Sequence, residues 1–165
     1  MLKNLDIKNY ALIDHLQIDF VDGFSVITGE TGSGKSIILG ALSLILGERA
    51  DLKSIRNKTE KCIIEGTFTL EQAILNDFFE MNDLDFETET IIRREINPQG
   101  KSRAFINDTP VSLSILKELT AQLIDIHSQH QTLQVQDAKY QIGVLDAFVG
   151  LDKLINKYKT QFEPY

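Results

Sequence analysis

Eight consecutive residues, Gly29-Glu30-Thr31-Gly32-Ser33-Gly34-Lys35-Ser36, fit the pattern G-x-x-x-x-G-K-[ST] at every specified position. The spacing has a physical reason. Glycines let successive backbone N–H groups turn inward around a β-phosphate, and the start of the following helix adds its dipole. Lys35 then reaches the β- and γ-phosphates, and the Ser36 hydroxyl is placed to ligate Mg²⁺. Such a loop requires a strand before it and a helix after it, and the flanking sequence supplies both patterns. Residues 24–28 are apolar and strand-like after the turn residues Asp22-Gly23, and residues 36–46 are apolar on nearly all sides until Gly47.

The rest of the chain alternates strand and helix signals. Leu5 and Ile7 interleave with Asp6 and Lys8, and Leu16, Ile18 and Phe20 with Gln17 and Asp19, as in paired antiparallel strands with one buried face. Residues 48–61 are polar and read as a loop. Cys62, Ile64, Phe68 and Leu70 alternate with Glu65, Thr67 and Thr69 as a further strand, followed by a short helix carrying Ile74, Leu75, Phe78 and Phe79. Residues 77–89 hold six acids and no base and read as a solvated segment. Asn97-Pro98-Gln99-Gly100 joins two strand-like stretches, 90–96 and 101–106, into a hairpin. Ser112 is an N-cap for a helix carrying Ile115, Leu116 and Leu119, and residues 123–127 read as another strand. Asp137 caps a helix that closes at Gly150. From Leu151 the apolar positions Leu154, Ile155, Tyr158 and Phe162 recur at coiled-coil spacing.

Composition narrows the class. At 165 residues and 42% hydrophobic, the chain is long and apolar enough for one domain with a buried core. Its longest nearly apolar run, residues 37–46, is far short of the roughly 20 residues that span a bilayer, so no membrane segment is expected. The first 16 residues lack a signal-peptide pattern, and one cysteine, Cys62, cannot form an internal disulfide; both favour a cytoplasmic location. His127 and His130 lack a third ligand at metal-site spacing and read as polar loop residues. The net charge of −7 argues against a generally basic nucleic-acid surface but leaves room for a local patch. One candidate patch is Arg93, Arg94, Lys101 and Arg103 around the hairpin, which reads equally well as a phosphate-contacting cluster or as a solvated face.

What a P-loop normally works with is missing. There is no Asp-x-x-Gly element for a GTPase and no Leu-Ser-Gly-Gly signature. A Walker B strand has only the weak candidates Leu123-Ile124-Asp125 and Val144-Leu145-Asp146. The sequence reads as half of an ATPase.

The chain resembles the RecN family of DNA-repair ATPases, relatives of the structural-maintenance-of-chromosomes (SMC) proteins. The resemblance rests on residues 5–13, the loop 29–36, Gly47-Glu-Arg-Ala-Asp51, Arg93-Arg-Glu95, Ser102-Arg-Ala-Phe-Ile-Asn107, Asp125-Ile-His-Ser-Gln-His130 and Leu145-Asp-Ala-Phe148. It implies an α/β P-loop NTPase fold: the N-terminal lobe of an ABC/SMC-like head with an antiparallel β-subdomain. Residues 1–150 would carry Walker A and the Q-loop, and residues 151–165 would start a coiled coil. It also implies ATP and Mg²⁺ as cofactors, with Gln129 as the Q-loop residue that contacts Mg²⁺ and the attacking water, Gln131 being the alternative. The implied partners are the C-terminal half of the same head, a second protomer that sandwiches ATP, and DNA as double-strand-break ends or single strands. The implied location is the cytoplasm, at the nucleoid. In related heads the stretch containing Lys8 and Asn9 lies near the nucleotide. Two other readings fit the residues alone: a small P-loop kinase whose hairpin arginines clamp phosphate, and a non-catalytic module in which the P-loop gates assembly on DNA.

Overall fold

The computed structural model describes residues 1–30, 34–124, 126, 138–150, 154, 157, 158 and 162. Two compact units divide the chain, Met1–Asp125 and Ile126–Tyr165.

The first unit is built on one six-stranded sheet. Its strands are β1 (Leu2–Tyr10), β2 (Ile13–Asp19), β3 (Cys62–Thr69), β4 (Glu89–Ile96), β5 (Ser102–Ile106) and β6 (Thr109–Val111), in the spatial order β2-β1-β3-β4-β5-β6. Every pairing is antiparallel. The alternation seen in the sequence sets the faces: Leu5 and Ile7, Cys62, Ile64 and Phe68, Ile92 and Ile96, and Ala104 and Ile106 all point to one buried face. Helix α1 (Lys35–Ile45) covers β1, β3 and β4 on that face with Ala41, Leu44 and Ile45. Its seat depends on Gly66 of β3, where a Cβ would lie 2.7 Å from Ile45 Cδ1 and 3.0 Å from the Phe68 ring. Helix α2 (Gln72–Met81) buries Leu75, Phe78 and Phe79, and helix α3 (Leu113–Leu123) closes the core over β5 with Leu116 and Leu119.

Most expected elements form, with local corrections. The Asp22-Gly23 turn is present, with Gly23 at φ 97°, but residues 24–28 are not a strand. They pair with no neighbour, and Phe24 stands 91% exposed and Val26 64%. A strand needs a ladder partner for its N–H and C=O groups, and none of the described residues provides one here. Strand β6 was not expected, because a three-residue Thr-Pro-Val run is too short to show alternation. It turns back from β5 through Asn107, which holds φ 52° and accepts a hydrogen bond from the Ile91 N–H at 2.9 Å. The expected strand over 123–127 also fails at its start: Leu123 ends α3, Ile124 is its extended C-cap, and Asp125 and residues 127–130 lie outside the described residues. Ser112 caps α3 as expected, accepting from the Ile115 N–H at 3.3 Å.

In the second unit, helix α4 (Ala138–Val149) ends before Gly150 at φ 71°, and its expected cap Asp137 lies outside the described residues. Leu154, Lys157, Tyr158 and Phe162 are helical, with the Tyr158 and Phe162 rings stacked at 5.6 Å. Among the described residues no helix is long and apolar enough to cross a membrane.

Candidate nucleotide site

The loop motif sits at the start of α1. Gly34 precedes the helix in the left-handed region, at φ 99°, a conformation that costs an L-residue roughly 1–2 kcal/mol. Its carbonyl accepts the first helical hydrogen bonds, from Ile37 N–H at 3.0 Å and Ile38 N–H at 3.2 Å. No side chain caps the helix and no acid occupies its first turn. The N–H groups and dipole of this helix start therefore present positive potential, suited to a phosphate.

Lys35, the first helical residue, reaches back across the motif. Its Nζ donates to the Gly29 carbonyl and, at 2.8 Å, to the Glu30 carbonyl, so the two ends of the loop are tied through one cation. Ser36 follows in the same helical turn. The donor set of helix N–H groups, one ammonium and one hydroxyl fits a magnesium-bound polyphosphate. Thr31, Gly32 and Ser33, at the centre of the motif, and Gln129 with its alternative Gln131 lie outside the described residues. His127 and His130 do as well. Among the described residues no cluster of His, Cys, Asp and Glu is arranged to hold a metal ion. Asp146 lies within helix α4 and not at a strand end.

The stretch near Lys8 is held by contacts within the lobe. Lys8 pairs with Asp6 at 3.1 Å on the outer face of the sheet. Asn9 is 5% exposed with φ 56°, and its amide is consumed by the loop that follows α1. Its Nδ2 donates to the carbonyls of Asn57 at 2.9 Å and Glu60 at 3.1 Å, and its Oδ1 accepts from the Asn57 N–H at 2.6 Å. The only sequence signal for this clamp is the tolerance of Asn for left-handed backbone.

The hairpin cluster is split by strand alternation. Arg94 shares the phase of Ile92 and Ile96 and is 1% exposed inside the core, whereas Arg93 and Arg103 face outward with Glu95. Arg94 Nη2 donates to Ser102 Oγ at 2.6 Å, and its Nε and Nη1 have no partner among the described residues. Burial of the guanidinium lowers its pKa.

A P-loop at the start of a helix that packs on an antiparallel sheet is the fold of the N-terminal lobe of an SMC-like P-loop head. The chain belongs to the RecF/RecN/SMC N terminal domain family, whose model matches residues 1–133. Within it the chain is similar to the DNA repair protein RecN of Haemophilus influenzae, 40% identical over 171 residues covering 100% of this chain and 30% of that protein. It is similar also to RecN of Vibrio cholerae, 39% identical over 164 residues, 99% of this chain and 30% of that one. The chain thus spans about a third of the length of these relatives. Among solved structures, the Smc head domain with coiled coil and joint from Pyrococcus yayanosii shares the fold, with a TM-score of 0.65 at 22% identity over 99% of this chain and 35% of that chain.

Proposed function

We propose that this chain is the N-terminal half of an ATPase head that works in DNA double-strand-break repair and recombination, with ATP-driven head dimerisation coupled to DNA binding. The observation that carries the reading is the P-loop itself: Lys35 folded over Gly29 and Glu30 at an uncapped helix start, in a chain similar to RecN along its whole length. Gly29, Glu30, Thr31, Gly32, Ser33 and Gly34 surround the phosphates with backbone N–H groups. Lys35 exchanges its two carbonyl partners for phosphate oxygens. Ser36 and Gln129 are the proposed Mg²⁺ ligands, and bound Mg²⁺ neutralises phosphate charge and favours attack by water.

A partner for the lobe follows from residues 24–30. Phe24, Val26 and Ile27 are exposed on an extended, unpaired stretch leading into the P-loop, which suits a strand of the C-terminal half of the same head. That half would bring the signature and Walker B elements that this sequence lacks, so the chain alone is expected to bind Mg-ATP weakly and hydrolyse it poorly. Residues 151–165 are the proposed start of the coiled coil joining the halves.

The test is ATP turnover by the full-length protein. Lys35→Ala should lower it by about 10²–10³-fold, the usual loss when one preorganised donor to developing charge is removed. Inorganic phosphate should be the product. Unchanged turnover in Lys35→Ala, or a phosphorylated acceptor in place of phosphate, would overturn the reading. So would rapid, Lys35-dependent turnover by the 165-residue chain alone.

A further inference from the structure

The outer face of β3, β4 and β5 carries four cations whose partners divide them into two kinds. Arg93 lies 4.6 Å above the Phe105 ring and within 3.6 Å of Glu65 and 3.5 Å of Glu95. Lys61 reaches the same Glu95 at 3.3 Å. Two carboxylates therefore offset these two cations. Lys101 and Arg103 are exposed and have no ion pair among the described residues. Together with Lys61, Glu95 and Asn97 they line one open groove of about 230 Å³, at the end of the hairpin. The groove holds a local positive excess on a chain whose net charge is −7. Folding has concentrated what composition dilutes.

We propose that this groove is a contact for the nucleic-acid sugar-phosphate backbone, with Lys101 and Arg103 each neutralising a phosphate and Glu95 limiting how much Lys61 and Arg93 add. The proposal rests on the DNA-binding reading above and gives it a surface. The groove offers charge and no apolar slot, and Phe105 is engaged by Arg93, so recognition here is of phosphates and carries no base sequence. Arg94 takes no part, because strand alternation buries it.

The experiment is a DNA titration of the full-length protein across salt concentrations, using a duplex with an exposed end and a single strand as probes. Removing two phosphate contacts in Lys101→Ala/Arg103→Ala should reduce the slope of log K against log salt by about 1.8 on duplex and about 1.4 on single strand. Between 50 and 200 mM salt, the variant should therefore lose about tenfold less duplex affinity than the parent. Arg103→Lys with Lys101→Arg should restore the parental slope. Glu95→Gln should tighten binding, since it releases Lys61 and Arg93. ATP turnover without DNA should not change in any of these variants, which marks them as folded. A double-alanine variant with parental affinity and slope overturns the groove but leaves the DNA reading intact, whereas a parent protein that binds neither probe at low salt overturns both.

Discussion

Arg94 is the residue whose surroundings depart furthest from ordinary solvation. A guanidinium inside a core, with one hydrogen bond and no carboxylate among the described residues, carries a desolvation penalty that nothing nearby offsets. Arg94→Met keeps most of the volume and removes the charge. It should leave the protein as stable or more stable, by up to about 3 kcal/mol in urea unfolding, as when buried charged groups are replaced by apolar ones of similar size. A loss of stability would mean that the guanidinium is paired in the folded protein. Cys62 is the second case. Burial pushes its thiol from 9.0 up to about 11, so the unfolded chain loses this proton before the folded one does. Its contribution is complete below pH 9 and is lost as pH rises toward 11. Stability measured against pH should fall less steeply across that window in Cys62→Ala than in the parent, and identical slopes would contradict the buried assignment. Both residues were legible in part. Cys62 alternates with Ile64 and reads as core, and Arg94 keeps step with Ile92 and Ile96, yet its charge draws it into a cluster with Arg93 when position along the strand is ignored.

At the scale of elements, what could be read was what is encoded locally. The P-loop helix, the Asn97–Gly100 turn and the Ser112 cap each rest on a few adjacent residues, and all are present. The paired strands β1 and β2 show period-two alternation because one face is buried. What could not be read depends on partners distant in sequence. The stretch 24–28 has strand composition, but none of the described residues offers it a ladder. Strand β6 is held by its pairing with β5 and by Asn107, not by its own three residues. Asn9 became a clamp because the loop at residues 57–61 folds onto it, a contact some 50 residues away. The expectation of a second half of the head comes from the resemblance to RecN, since no local pattern in these 165 residues points to it.

At the scale of the whole molecule, on the function proposed above, a nucleotide loop, an unpaired apolar stretch and an antiparallel lobe would form one side of a site that the second half of a head completes. On that reading Lys35 and Ser36 would meet the phosphate and the magnesium, and residues 24–28 would be the edge onto which the complement adds. Amide hydrogen exchange at residues 24–28, compared between the full-length protein and the 165-residue chain, tests this most directly. Exchange should be fast in the short chain, where those N–H groups have no ladder, and strongly protected in the full-length protein, where a neighbouring strand holds them. Equal exchange in the two would contradict the claim that this lobe is half of a head.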